Sequence, residues 1–265
     1  TGMPSLTLEP ELVMEQEKEP EVQVQLMEVT QEMNPVQQKM AQTVLTPEEQ
    51  QMVEDFAGKI DLENLTQVMQ YGAGTQKKMA DFSDEALKNV RSQDLGEVGD
   101  LLTGVVGELK GFDAEEEKGL FGFFKKQANK SETLKNRYDK AEANVEKISE
   151  TLEQHQVRLL KDSAMMDKMY EQNLLYFKEL SMYILAGKKK LAQAKSVELP
   201  ELLEKAQKSG LPEDTQAAKD FAAMCERFEK KIYDLELTRA ISLQMAPQIR
   251  LIQSNDIAMS EKIQS

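Results

Sequence analysis

The longest hydrophobic pattern in the chain lies between about residues 129 and 195. Apolar residues recur there at intervals of four and three positions, with His155 as one polar member. Such spacing is typical of the a and d positions of a coiled coil. Neither Gly nor Pro occurs between Gly122 and Gly187, so we predict one long helix that begins near Asn129 and has its basic end at Lys188-Lys189-Lys190. The seam consists of Leu134, Tyr138, Ala141, Val145, Ile148, Leu152, His155 and Leu159.

Beyond Leu159 the apolar residues of this helix cover more than one face. This half is therefore predicted to be buried against at least two neighbouring elements. Methionine fills irregular gaps well, so core packing explains the group better than a ligand pocket. Its members are Met165, Met166, Met169, Tyr170, Leu174, Tyr176, Phe177, Leu180, Met182, Tyr183, Ile184 and Leu185.

A second long helix is predicted from about Pro212 onward, after a small helix bounded by Leu199-Pro200 and Gly210. Long helices joined by a short connection pack antiparallel. We therefore predict an all-α, elongated helical bundle built on a long antiparallel coiled-coil hairpin. The last helix also carries a polar band, which more often fixes helix register than performs chemistry. The band comprises Arg239, Gln244, Pro247, Gln248, Arg250, Gln253 and Asn255.

Composition divides the chain into three regions. Residues 1–45 are rich in Glu, Gln and Pro, which predicts an acidic, flexible tail. Residues 46–128 are predicted to form short helices with a Gly-rich hinge, and residues 129–265 the helical hairpin. Thr46 begins a capping signal, and a stripe from Leu65 to Val90 predicts one inward-facing helix. That stripe consists of Leu65, Val68, Met69, Gly72, Gln76, Met79, Leu87 and Val90.

One short segment combines four large apolar residues with two lysines. Aromatic residues at the acyl boundary with lysines at the head groups are typical of a membrane-inserting wedge. The alternative is that the phenylalanines plug the end of the bundle, and a single short element would bind membrane only weakly. The segment comprises Leu120, Phe121, Phe123, Phe124, Lys125 and Lys126.

Charge and cysteine content narrow the function classes. A formal net charge of −14 argues against nucleic acid, because phosphate neutralisation needs clustered Lys and Arg. The single cysteine, Cys225, cannot form an intramolecular disulfide, which favours a reducing compartment. No signal peptide and no apolar run of about 18 residues is evident. We therefore expect a cytoplasmic protein, with peripheral contact at the inner face of the cell membrane as an option.

Catalytic and metal-binding signals are weak. His155 has no Glu or Cys at a ligand spacing and is best explained as a register-setting polar position. Cys225 lacks a second thiol or an activating neighbour, and no nucleophile–base pattern occurs. Gly72-Ala73-Gly74 lacks the strand and the Gly-Lys-Ser/Thr ending of a phosphate loop. We therefore expect the protein to have no enzymatic activity, no cofactor and no bound metal.

Three separated motifs stand out, at 237–239 with 244–253 and 255, at 70–72 through 81–83 with 94–99, and at 170–173 through 186–187. Together they closely resemble the signature of the bacterial toxic-anion (tellurite) resistance family, TelA, over roughly residues 55–265. The resemblance implies a helical, cytoplasmic or membrane-associated protein linked to tellurite and other envelope or metal stress, and it brings no catalytic residue. Family members usually continue further, so we expect this sequence to be part of a longer chain.

Two functional hypotheses follow. The first is a non-enzymatic scaffold that contacts other stress-response proteins and an anionic membrane, with the coiled-coil seam also able to pair two copies. The second is direct binding of an oxyanion or metal. Capture of an anion needs a positive pocket, to which Arg239 and Arg250 could contribute, with Gln248 and Gln253 beside them.

Overall fold

The computed structural model of the chain describes residues 2–9, 34–92 and 130–264. The predicted all-α class is confirmed, since none of these residues forms a β-strand. The described helices are α1 (Pro35–Ala41), α2 (Pro47–Lys59), α3 (Leu65–Met69), α4 (Ala73–Ser92), α5 (Lys130–Gln193), α6 (Leu199–Ser209) and α7 (Pro212–Gln264).

Capping boxes begin the first two helices. Thr46 accepts a hydrogen bond from the backbone N–H of Glu49, whose carboxylate accepts from the backbone N–H of Thr46. This confirms the predicted start of α2, where each box satisfies backbone donors that a helix leaves unpaired. Asn34 and Gln37 form the same arrangement at α1. Helix α1 lies within the region predicted as a tail, and its Met40 packs in a buried cluster with Phe177 and Ala246.

The single helix predicted from Leu65 to Val90 is wrong. Gly72 interrupts it with φ of +68°, a left-handed conformation that ends α3 before α4 begins. Val68 and Met79 are buried as predicted, whereas Leu65 and Met69 are exposed. Because of this break, α3 does not continue the helical periodicity of α4, whereas the predicted stripe assumed one uninterrupted helix. The side chains of Leu87, Val90 and Leu134 lie outside the described residues.

The predicted long helix is confirmed to within a few residues of its basic end, Lys188-Lys189-Lys190, and Gly187 does not interrupt it. Helix α5 continues to Gln193, passes through a π-helical turn at Ala194–Glu198 and leads directly into α6. Gly187 is instead a close contact: a Cβ there would lie 2.9 Å from Cδ1 of Ile232. A glycine inside a helix therefore allows α7 to approach.

The connection to the last helix is confirmed. Gly210 ends α6 with φ of +62°, and its N–H donates to the carbonyl of Ala206. Helix α7 begins at Pro212, where the missing N–H costs no helical hydrogen bond, and Pro247 lies inside this helix.

The chain divides into two compact units. The first comprises Thr1–Leu87 with Met166–Leu251, and the second comprises Lys88–Met165 with Ile252–Ser265. In the first unit, α5 and α7 run in opposite directions, because Asn173 meets Ser242 whereas the later Gly187 meets the earlier Ile232.

Four aromatic rings form part of the core of the first unit. The ring of Tyr71 lies edge-on to the rings of Tyr183 and Phe228, with centroids 5.3 Å and 4.9 Å apart. Phe56 of α2 contacts both tyrosines. The hydroxyl of Tyr71 donates to the backbone carbonyl of Tyr183 at 2.6 Å, so the buried phenol is paired. Burial raises the pKa of Tyr71 above its ordinary value, with Tyr183 adding to the effect.

In the second unit, polar side chains of α5 and α7 bind each other's backbone. The amide of Gln253 donates to the carbonyl of Ser163 at 3.1 Å. The predicted seam is only partly inward-facing. Tyr138 and Val145 are exposed, contrary to the prediction, whereas Ile148, Leu152 and Leu159 are half-buried. Knobs-into-holes packing of a coiled coil stays a prediction.

The widened apolar half of α5 is mostly buried. Phe177, Leu180 and Met182 belong to the core of the first unit. Met165 and Leu185 are exposed, so the prediction was wrong for these two. A continuous apolar run on a helix leaves some members facing away from the neighbours, because 3.6 residues complete each turn.

A buried carboxylate joins α2 to α5. Lys178 donates to Glu49 at 2.8 Å, and the exposed side-chain fractions are 20% for Lys178 and 4% for Glu49. Burial works against ionisation of Glu49, but the hydrogen bonds from Lys178 and Thr46 outweigh it and lower the pKa of Glu49 below 4.5. A native pKa lowered in this way stabilises the fold above the unfolded-state value and ceases to do so as pH falls through the native value.

We therefore expect Glu49→Gln to lower the free energy of unfolding by about 1–3 kcal/mol at pH 7. Glutamine can still complete the capping box, so the loss of stability measures the contribution of the carboxylate charge. The difference between the two proteins should shrink as pH falls below 4.5. Urea unfolding followed by circular dichroism at pH 7 and pH 3 measures both effects, with exposed Glu63→Gln as the matched control. An equal loss at both pH values would contradict the assignment.

Candidate functional site

Arg250 of the polar band is held by a carboxylate and an aromatic ring of α5. Its Nη1 donates to Oδ1 of Asp167 at 2.8 Å, and its guanidinium carbon lies 3.8 Å from the ring centroid of Tyr170. The ion pair is exposed and contributes at most about 1 kcal/mol, with a similar amount from the ring contact. An anion binding to Arg250 would have to compete with Asp167.

Arg239 has a different environment. Its Nη1 donates to the hydroxyl of Ser181 at 3.4 Å, and its guanidinium carbon lies 5.9 Å from the ring centroid of Phe177. Burial lowers the pKa of Arg239, while Glu236 acts in the opposite direction. A guanidinium remains protonated at physiological pH, so Arg239 is a half-buried cation. It is therefore the stronger of the two arginine candidates for an anion.

The structure does not bring the two arginines to one point. Eleven positions of helix separate Arg239 and Arg250 by about 16 Å along the axis. They also contact different residues of α5, Ser181 and Asp167 respectively. A small oxyanion held by both guanidiniums at once is therefore incompatible with this arrangement.

The other members of the band divide between contact and exposure. Gln253 donates to the carbonyl of Ser163, as described above. Gln244 and Pro247 are half-buried, whereas Gln248 and Asn255 are exposed. The band therefore lies on more than one face of α7, and Arg239, Arg250 and Gln253 are its members that contact α5.

Asn173 is the most deeply buried polar contact that the sequence reasoning did not single out. Its side-chain amide donates to the carbonyl of Ser242 at 2.8 Å, and the residue is fully buried. Its Oδ1 has no hydrogen-bond partner among the described residues. A buried amide of this kind fixes the register of two helices. The available signal was a polar residue inside the most apolar part of α5.

A second polar group joins α4 to α7. Gln76 donates to the hydroxyl of Thr238 at 2.9 Å and accepts from Lys231 at 3.0 Å. Burial lowers the pKa of Lys231, and Asp234 opposes the shift. Gln76 was predicted to face inward, but its partners lie more than 150 positions away in the sequence and could not be predicted.

Cys225 is buried. Burial raises the pKa of its thiol, with Lys195 acting in the opposite direction. A raised pKa keeps the sulfur protonated, and the thiol is a poor nucleophile and metal ligand in that form. Among the described residues, no group of three or more His, Cys, Asp or Glu side chains could hold a metal ion. His155 is half-buried on α5.

The candidate membrane and partner contact, residues 120–126, lies outside the described residues, as does the predicted glycine-rich hinge. None of the helices in the described part of the chain is both long enough and apolar enough to cross a membrane.

The described residues thus define an all-α protein in which polar side chains of two long antiparallel helices pair with each other. The family model for toxic anion resistance protein (TelA) matches residues 53–265. The chain belongs to this family, and the predicted resemblance is confirmed.

Curated relatives agree with this assignment. A TelA-like protein of Staphylococcus epidermidis is 36% identical over 226 residues, covering 83% of this chain and 60% of the relative. A TelA-like protein of Staphylococcus aureus is 35% identical with the same coverage. An uncharacterised protein of Listeria monocytogenes is 34% identical over 84% of this chain and 57% of its own length. The chain therefore spans about 60% of the length of these relatives. No solved structure matches it.

Proposed function

We propose that the protein is a non-enzymatic helical scaffold or adaptor in bacterial resistance to toxic anions such as tellurite and to related envelope or metal stress. The observation that carries this proposal is the pairing of polar side chains between the long helices. The side-chain amide of Asn173 donates to the backbone carbonyl of Ser242, and the guanidinium of Arg250 donates to the carboxylate of Asp167. Polar groups used in this way stabilise a helix pair and set its register. They explain the polar band without requiring chemistry.

A scaffold also needs a surface for partners. Helix α5 exposes Val157, Leu160 and Ala164, whose i, i+3 and i+7 spacing places them on one face of the helix. An exposed apolar stripe of this kind is typical of a protein contact. We propose that such surfaces bind other stress-response proteins in the cytoplasm. Pairing of two copies through the coiled-coil seam is an additional option.

Peripheral membrane contact forms a second part of the proposal and is assigned to residues 120–126. We expect the protein to co-sediment with vesicles that contain anionic lipid. Phe123→Asp should abolish most of this binding, because a charge at the acyl boundary removes the apolar contribution. Tyr233→Asp, at an exposed aromatic residue of α7, is the matched control. Equal pelleting of the Phe123→Asp protein and the unmodified chain would contradict the membrane assignment.

The alternative function is direct binding of an oxyanion or metal. Arg239 supports it, because this half-buried cation is paired with a hydroxyl and a ring. Arg250 supports it less, because Asp167 already neutralises that guanidinium. Calorimetric titration with tellurite separates the two functions, because only direct binding predicts a saturable heat.

A further inference from the structure

Residues 2–9, here called the N-terminal strap, lie along α5 in the first unit. The backbone N–H of Ser5 donates to Oε1 of Glu179 at 3.1 Å, and that of Thr7 donates to the hydroxyl of Tyr183 at 2.8 Å. Pro4 is buried, and a Cβ on Gly2 would lie 3.3 Å from Leu175. The strap is therefore bound at successive turns of one helix.

The spacing of the two hydrogen bonds has a simple geometric basis. Alternate residues of an extended chain are about 6.6 Å apart, and residues four apart on a helix are about 6.0 Å apart. Ser5 and Thr7 thus match Glu179 and Tyr183 in register. Any extended segment can present backbone N–H groups at this interval.

The strap seat consists of Thr75, Glu179 and Tyr183. Thr75 donates its hydroxyl to Oε2 of Glu179 at 3.2 Å, which orients the carboxylate so that Oε1 receives the strap. Glu179 and Thr75 are both buried. The seat is formed by folded helices, and its three hydrogen bonds with the strap involve only main-chain atoms of the strap: the N–H groups of Ser5 and Thr7, and the carbonyl of Thr7, which accepts from the hydroxyl of Tyr183 at 3.4 Å. Such contacts provide affinity without selecting side chains.

We propose that the strap seat is a binding site for an extended polypeptide segment of a partner protein, and that residues 2–9 occupy it as a displaceable intramolecular ligand. A segment that fits carries a proline, a free backbone N–H at the residue after the proline, and a second free N–H two positions after that, as Pro4, Ser5 and Thr7 do in the strap. The partner can bind only to molecules whose seat is free. The apparent affinity for the partner is therefore the affinity of the empty seat multiplied by the fraction of molecules in which the strap is released. This inference goes beyond the toxic-anion role and does not depend on it.

A second copy of the chain is a poorer occupant than a different protein. Its strap would make the same contacts as the resident strap, which competes at an effective concentration that can reach the millimolar range. A partner segment can win by adding side-chain contacts that the resident strap lacks. Glu179 offers one such additional contact. It accepts hydrogen bonds from two uncharged donors, and a basic residue of the partner would make a stronger, charge-assisted hydrogen bond with it.

The test uses a fluorescently labelled peptide with the sequence of residues 2–9, titrated into the full chain. Ser5→Pro combined with Thr7→Pro removes both N–H donors and releases the strap. We expect the released protein to bind the peptide at least about tenfold more tightly than the unmodified chain. Adding Tyr183→Phe to the released protein should weaken binding again, whereas Tyr233→Phe, at an exposed tyrosine, should leave it unchanged.

Two results would overturn the proposal. The first is a released protein that binds the peptide no better than the unmodified chain. The second comes from amide hydrogen exchange of the unmodified chain, which needs no substitution to fold. We expect the N–H groups of Ser5 and Thr7 to exchange through local opening, orders of magnitude faster than the core of α7. Exchange only by global unfolding would mean that the strap is not displaceable.

Discussion

Replacing Phe228 with alanine is expected to lower the free energy of unfolding by about 3–5 kcal/mol. Phe228 is fully buried, and its ring contacts Tyr71 edge-on with centroids 4.9 Å apart. The ring also faces Gly187, where a Cβ would lie 3.3 Å from Cζ of Phe228, so α7 packs here against a residue of α5 without a side chain. Helix backbones on both sides limit how far the cavity can collapse, so the cost should fall in the upper part of this range.

Chemical unfolding monitored by circular dichroism measures this loss. Tyr233→Ala is the control on the same helix, because Tyr233 is 57% exposed and its truncation should change stability by no more than about 0.5 kcal/mol. A loss below about 1 kcal/mol for Phe228→Ala would mean that the aromatic cluster does not form the core of the first unit.

Replacing Gly72 with alanine is also expected to lower the free energy of unfolding strongly. The backbone there has φ of +68°, and an added Cβ would lie 2.9 Å from Cδ1 of the buried Leu235. The left-handed conformation costs about 1–2 kcal/mol for a residue with a Cβ, and overpacking the core costs about 1–3 kcal/mol more. We therefore expect a total loss of about 2–5 kcal/mol in the free energy of unfolding.

Gly210 provides a matched control for this substitution. Its φ is +62°, and a Cβ there would meet nothing within 4 Å. Gly210→Ala therefore carries the backbone cost alone, and the difference between the two substitutions isolates the contact with Leu235. Equal losses for Gly72→Ala and Gly210→Ala would show that the helices do not approach closely at Gly72.

Local signals predicted much of the fold correctly. Thr46 begins α2 and Gly210 ends α6 because capping and left-handed turns depend on a few adjacent residues. Glycines inside apolar runs were harder to interpret. Gly187 lay beside the predicted basic end of the long helix, and Gly72 looked like one position in a continuous stripe. The role of each depends on a neighbour, Ile232 or Leu235, that is distant in the sequence.

The polar band shows the same limit for the candidate site. Its residues could be named from the sequence because polar side chains interrupt an apolar helix. Their partners could not be named, since Asp167 and Ser163 meet α7 only once the antiparallel register is fixed. Asn173 was missed for a related reason: one polar residue within an apolar run carries no sign of what it binds.

The most direct test of the scaffold function is calorimetric titration of the chain with tellurite. A titration up to about 1 mM tellurite detects a complex whose binding free energy is about −4 kcal/mol or more favourable. If the arginines of the band serve to hold α5 and α7 together, no saturable heat is expected from the unmodified chain, and Arg239→Gln and Arg250→Gln should give the same trace. A saturable heat that either substitution abolishes, in proteins that remain folded by circular dichroism, would contradict the scaffold function and favour direct anion binding.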